Sequence, residues 1–140
     1  MGTVRLTGIS LQQLDVAAHT AAVADPAAGA IVSFSGAVRD HDHGVLVTEL
    51  EYHAHPSAPQ VIAEVAAELA DRDGVIGVAV SHRIGMLAIG EVAIVAAVSS
   101  AHRQVAFEVC SDLVDEVKKR LPVWKRQVFA DGSDEWVNSA

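Results

Sequence analysis

Hydrophobic positions along the chain change period several times, and each change marks an element. Val4 and Leu6 alternate with polar neighbours and predict a short first strand. Ser10 then suits a helix cap, with Leu11, Leu14, Ala18 and Ala21 on one face, and Asp25-Pro26 closes that helix. Ala30, Val32, Phe34 and Gly36 alternate with Ile31, Ser33, Ser35 and Ala37 in a strand running toward Val38. After the polar run Arg39-Asp40-His41-Asp42-His43-Gly44, an extended pattern returns from Val45 to His55, with Leu46, Leu50 and Tyr52 as packing residues. Together these predict a long hairpin over residues 30 to 55.

Pro56 fits the first turn of a helix that carries Val61, Ile62, Val65, Ala66 and Leu69 at helical spacing. Val75 to Ile84 and Glu91 to Ser99 are rich in Val and Ile and read as two strands that pair, joined by a Gly85 to Gly90 connection. Ala106, Cys110, Leu113, Val114, Val117 and Leu121 fall on one stripe of a helix from about His102 to Leu121, and Pro122 ends it. Val123 to Phe129 is extended again, Asp131-Gly132 is a turn, and Trp136-Val137 closes the chain. Adjacent strand pairs require antiparallel pairing, while interspersed helices must cover a sheet face. The pattern therefore predicts an α+β sandwich with mostly antiparallel sheet and about three helices, rather than a doubly wound parallel fold. No repeat, low-complexity tract or linker interrupts it, so residues 1–140 are expected to form a single domain.

Composition adds limits. With 51% hydrophobic residues in 140, the chain has enough apolar surface to bury a core. No stretch approaches a membrane span, and Met1-Gly2-Thr3-Val4-Arg5 leads in without a signal-peptide pattern, so a cytoplasmic protein with no membrane partner is expected. Cys110 is the only cysteine, which excludes an internal disulfide framework and an intrachain thiolate zinc cluster. Its apolar helical neighbours make it buried filler rather than a nucleophile.

Charge changes the picture more. The net charge of -8 argues against general nucleic-acid binding. Yet six of the ten Lys and Arg residues lie between His102 and Arg126, against four acids there. A local basic site on an acidic body suits a small anionic ligand or partner.

Within that stretch the cations differ in standing. Ser99-Ser100-Ala101-His102-Arg103 joins a strand to a helix, with Ser100 as the expected N-cap. Arg103 stands in a first turn, where acids are favoured, so it either faces a bound anion or swings back to an acid such as Glu51 or Glu108. Lys118, Lys119 and Arg120 occupy the last turn, where cations complement the helix dipole. Lys125 and Arg126 follow Pro122 in an extended segment, and alternation puts them on opposite faces. Arg39 opens a loop from which a side chain can reach a ligand, or in which it is a solvated turn residue paired with Asp40 or Asp42. His41 with His43 and His53 with His55 have a spacing seen in metal sites, but no third ligand is fixed by it. Gly85 and Gly90 lack the spacing and the Lys-Ser/Thr of a phosphate loop.

Read together and in order, several segments carry a resemblance. Phe34-Ser35-Gly36-Ala37-Val38-Arg39, Leu50-Glu51-Tyr52, His82-Arg83-Ile84-Gly85, Gly90-Glu91, Ser100-Ala101-His102-Arg103, Ala106-Phe107-Glu108, Lys118, Pro122-Val123-Trp124-Lys125-Arg126 and Asp131-Gly132 through Trp136-Val137 resemble the large, catalytic subunit family of molybdopterin synthase. The resemblance spans about residues 30 to 137. It implies an α/β hammerhead-type fold and a homodimer of large subunits, each binding a small ubiquitin-like sulfur-carrier protein to give a heterotetramer. The carrier's C-terminal Gly-Gly thiocarboxylate would supply sulfur to cyclic pyranopterin monophosphate, two transfers installing the dithiolene of molybdopterin and opening the cyclic phosphate. Neither metal nor organic cofactor is implied. Matched residue by residue, Lys118 and Lys125 are the implied catalytic pair, while Arg39, His102 and Arg103 would hold phosphate. His53-Ala54-His55-Pro56-Ser57-Ala58-Pro59 departs from the family's usual continuation after Glu51-Tyr52, and the chain stops at Ala140 where relatives often continue with basic residues.

Two other classes stand beside this one. A metal-dependent hydrolase would use His41, His43, His53 and His55; a noncatalytic dimeric scaffold would only dock an acidic protein tail in the basic groove.

Overall fold

The computed structural model of the chain describes residues 2–138. Its centre is a four-stranded sheet in the order β1-β5-β7-β2, where β1 is Thr3–Ser10, β2 Ala30–Ala37, β5 Val75–Arg83 and β7 Val92–Ser100. β5 and β7 pair antiparallel with Val78 opposite Val98 and Val80 opposite Ala96. β1 adds to β5 in parallel, and β2 adds to β7 antiparallel. The two middle strands are buried along nearly their whole length, which explains their unbroken Val, Ile and Ala runs: both faces of the sheet are covered.

Alternation divides those faces. Val78, Val80, Ala96 and Val98 point into the main core beneath α2 (Ala58–Ala70) and α3 (Arg103–Arg120), where Ile62, Val65, Leu113 and Val117 are fully buried. Ala79 and Ala97 point the other way and meet Val23 of α1 (Val16–Val23). The stripe expected on α3 is buried from Ala106 through Leu121 as read.

A second sheet runs β3-β4-β8-β9, with β6 on the other side of β4 from β8; β3 is His41–Asp42, β4 Val45–Ala54, β6 Gly85–Ala88, β8 Val123–Phe129 and β9 Asp134–Val137. Leu50, Tyr52, Leu87 and Val123 on its inner face join the same core as α2 and α3. The arrangement is mixed α+β with mostly antiparallel pairing and three helices among the described residues, as the sequence pattern predicts.

Several expectations need correction. The long hairpin over residues 30 to 55 does not form: β2 pairs with β7, while β4 pairs with β8 and β6 in the other sheet. Only its tip is a hairpin, β3 to β4, turned through His43 at φ 49 and Gly44 at φ 79. The first helix is capped by Asp15, whose carboxylate accepts from Ala18 N, because β1 continues through Ser10. Its buried positions are His19 and Val23, with Leu11 68% exposed. Pro59, not Pro56, stands in the first turn of α2. Finally, Ser100 ends β7 and donates its hydroxyl to His102 O, and His102 is the N-cap of α3.

Candidate active site

The C-terminal turn of α3 and the strand after it meet the second sheet at a polar cavity of about 300 Å³. Its wall contains Arg39, Asp42, Tyr52, Lys118, Lys125 and Gln127. The local reasons are visible in the chain. Pro122 stops α3 just after Lys118 has faced inward, and the return along β8 puts Lys125 and Gln127, two residues apart, on the same inner face. Arg126 takes the opposite face, where it donates to Asp134 at 2.7 Å and lies 3.9 Å from Glu51. Arg39 enters from the segment after β2, still 70% exposed, with Nη2 donating to Asp42 Oδ1 at 3.3 Å.

The neighbouring cations are occupied elsewhere. Arg120 pairs with Glu68 at 2.7 Å and lies near Glu116, while Lys119 sits 3.7 Å from Glu116. They are helix-end ion pairs on the surface, worth little individually. Lys118 is thus the member of its triplet that reaches the cavity.

Lys125 is held below the usual lysine range. Burial is the largest cause; Asp42 opposes it, Lys118 and Arg39 reinforce it, and Glu135 opposes it weakly. The Asp42 carboxyl is held below its ordinary range, chiefly by the hydrogen bond from Gln127. A small cavity with two ammonium groups and a guanidinium can bring anionic reactants together, since each positive charge offsets their mutual repulsion.

Behind Tyr52 lies His82, 1% exposed, its ring edge-on to the phenol at 4.8 Å between centroids. Nδ1–H donates to Arg83 O at 2.7 Å. Burial is the main reason that this imidazole is pushed down to about 4, with the Arg83 carbonyl opposing and Lys118 reinforcing. Unfolded, the same ring takes a proton near 6.5, so the unfolded state binds more protons between these values. Its contribution to stability is complete above pH 6.5 and is lost as pH falls toward 4, on the order of 3 kcal/mol. His82→Phe should flatten that part of the pH dependence in urea titrations at neutral pH and near pH 4; an unchanged slope would contradict the burial argument.

His102 and Arg103 do not join this cavity within the chain. They line a separate open hollow with Gln104, Phe107 and Glu108 at the start of α3. Lys118 stands fifteen residues further along the same helix, about 22 Å away at 1.5 Å per residue. The first turn carries no acid and its cap makes no side-chain hydrogen bond. The acids that could have drawn Arg103 back are engaged: Glu51 with His53 at 3.2 Å, Glu108 accepting from Gln104 at 3.3 Å.

The four loop and strand histidines are dispersed. His41 pairs with Asp40, His43 lies near Asp42, His53 with Glu51, and His55 with Ser57. No group of three metal-ligating side chains is found among the described residues. Gln127 is the polar wall residue that sequence reasoning missed, while Asp42, read only as a turn partner of Arg39, does pair with it and also lines the cavity. For Gln127 a signal existed, its i+2 position from Lys125 on a strand.

Fold and cavity together define an α+β protein with a polar cavity lined by two lysines and an arginine, a lining suited to anionic reactants. Comparison with known proteins narrows this. Residues 9–120 match the family model described as MoaE protein. The chain is 42% identical over 112 residues to the molybdopterin synthase catalytic subunit of Thermoplasma volcanium, covering 79% of this chain and 82% of that one. It superposes on the crystal structure of molybdopterin synthase from Staphylococcus aureus with a TM-score of 0.85 at 30% identity, covering 92% of this chain and 94% of that one. It also shares the fold of a Helicobacter pylori structure described as a protein-protein complex of subunits 1 and 2 of molybdopterin-converting factor, with a TM-score of 0.73 at 19% identity over 94% of this chain and 88% of that one. The chain belongs to the MoaE family of molybdopterin synthase catalytic subunits.

Proposed function

We propose that the chain is the sulfurtransferase subunit that converts cyclic pyranopterin monophosphate to molybdopterin, taking sulfur from the C-terminal Gly-Gly thiocarboxylate of a small ubiquitin-like carrier subunit. The observation that carries this reading is the convergence of Lys118, Lys125 and Arg39 on one small cavity in a member of the MoaE family. Donor and substrate both bring negative charge, a thiocarboxylate and a phosphate ester, and such a pair needs fixed cations to lie together. Lys118 stabilises the oxyanion that develops at the carrier's terminal carbonyl, or exchanges a proton there; Lys125 acts on the pterin side. No resident metal or organic cofactor enters, because the sulfur arrives on the protein partner. The Helicobacter pylori complex of two subunits supports such a partner by analogy. The protein acts in the cytoplasm as one catalytic domain, and no described helix is long and apolar enough to cross a membrane.

The placement of His102 and Arg103 bears on assembly. As phosphate-holding residues they must reach the lysines, and the intervening length of α3 prevents this within one copy. A homodimer in which each copy's helix start faces the other's cavity satisfies both requirements, and two carriers complete a heterotetramer. The exposed Phe34 and Phe107, beside an apolar groove of about 300 Å³ between β2 and α3, are suited to burial against a second copy.

Arg103→Ala should raise KM for the cyclic phosphate about 10- to 100-fold, the size of a lost charge-assisted hydrogen bond, with a smaller change in kcat. Mixing Arg103→Ala with Lys118→Ala protein should restore activity, because a mixed dimer contains one intact site. Failure of the mixture to exceed its parents would remove the shared site, and unchanged KM in Arg103→Ala would remove Arg103 from phosphate binding.

A further inference from the structure

A carboxylate in a cavity meant for anions needs explaining, since it repels the reactants that the cations attract. Asp42 is that carboxylate, 17% exposed at the cavity wall. Its two oxygens are separately engaged. Gln127, 4% exposed, donates Nε2–H to Oδ2 at 2.9 Å, and Arg39 donates to Oδ1 at 3.3 Å. Donors on both oxygens fix the orientation of the carboxylate. They also tie the two-residue strand β3 to β8, far apart in sequence.

We propose that Asp42, held by Gln127, is a positioning residue of this cavity: it orients Arg39 and supplies the fixed counter-charge for Lys125 in the same cavity wall. The proposal rests on the sulfurtransferase reading and deepens it, because it makes Lys125 the acid or electrostatic stabiliser on the pterin side rather than the base.

The charges around the pair decide the sign. Arg39 from the segment after β2, His43 from the β3–β4 turn and Lys118 from α3 are cationic or can become so. Glu135 from β9 is the other acid that acts on Lys125, and the Tyr52 phenol from β4 is buried and kept protonated. Burial and two neighbouring cations all disfavour the ammonium, so the largest opposing influence is Asp42. Removing the charge at Asp42 must therefore make Lys125 easier to deprotonate.

The test uses the full chain with isotope-labelled lysine, the Lys125 side-chain signal being assigned by its loss in Lys125→Arg. Asp42→Asn keeps an oxygen to accept from Gln127 but removes the charge. The Lys125 signal should titrate at lower pH in Asp42→Asn than in the wild-type chain. The alkaline limb of the kcat/KM profile with carrier and pterin should move the same way. Asp42→Ser is read in parallel, so that poor folding of one variant leaves the other. A Lys125 titration that stays put in a folded variant overturns the proposal even if the melting temperature falls, since a purely structural Asp42 would affect stability alone. A moved signal with an unmoved alkaline limb overturns the acid assignment. The titration needs neither carrier nor pterin. A wild-type chain that binds carrier without consuming its thiocarboxylate, while Asp42→Asn still moves Lys125, would sink the sulfurtransferase reading and leave the Asp42 assignment standing.

Discussion

Lys118→Ala should lower kcat for sulfur transfer about 10²- to 10³-fold, the usual consequence of deleting a fixed donor aimed at a developing oxyanion. The size follows from position. Lys118 comes from the end of α3 and Lys125 from β8, so the two ammonium groups reach the cavity from different elements. The fold should be almost indifferent: the residue is exposed, and a cation in a last helical turn contributes about 0.3 to 1 kcal/mol. Circular dichroism and the melting transition of the variant therefore stay near those of the parent while turnover collapses. Lys118→Arg separates two roles. Arg keeps the charge but does not release a proton near neutrality, so substantial retained activity would mark Lys118 as an electrostatic stabiliser, and loss equal to that of Ala would mark proton exchange. Full activity in Lys118→Ala would remove it from the site.

The largest expected effect on stability is at Leu113. It is fully buried where α3 crosses the four-stranded sheet, in the cluster that includes Ile62, Val98 and Val117. Leu113→Ala should cost about 2 to 5 kcal/mol, the lost transfer energy plus the cavity left behind. A urea titration would show a lower midpoint with a nearly unchanged slope. The consequence for function is indirect: α3 carries Lys118 five residues further on, so a loosened helix also misplaces the lysine. A cost below 1 kcal/mol would mean that α3 does not pack against the sheet as described.

Much of this fold is legible in the chain because burial and period coincide. The runs at β5 and β7 are apolar on both faces, and the α3 stripe holds from Ala106 to Leu121. Legibility fails where pairing partners are chosen by tertiary packing. Nothing local tells β2 to add to β7 rather than to the next strand, and both alternatives satisfy its alternation equally. The four-residue β6 is hidden for a similar reason, since its pairing with β4 and not its own sequence makes it a strand. The first helix is displaced because two capping residues compete. Ser10 stays in β1, and Asp15 takes the cap.

The site divides along the same line. Lys118, Lys125 and Arg39 come together because Pro122 and strand alternation, both readable, aim two of them into one cavity. His102 and Arg103, expected to hold phosphate together with Arg39, sit at the opposite end of α3 from Lys118. In the proposed homodimer they would come from the second copy, and order along a chain carries no information about that. Asp42 is readable only as a solvated turn partner of Arg39, because an acid in a polar loop looks like surface until Gln127 is seen to fix it.

Sulfur transfer from a carrier tail in the lysine-lined cavity can be followed in one experiment. Its most direct test is a single turnover of the purified chain with thiocarboxylated carrier and cyclic pyranopterin monophosphate, followed by mass spectrometry of carrier and pterin together. Two carrier tails should be converted from thiocarboxylate to carboxylate for each dithiolene formed, with the cyclic phosphate opened. Carrier that binds and keeps its sulfur, with the pterin unchanged, would contradict it.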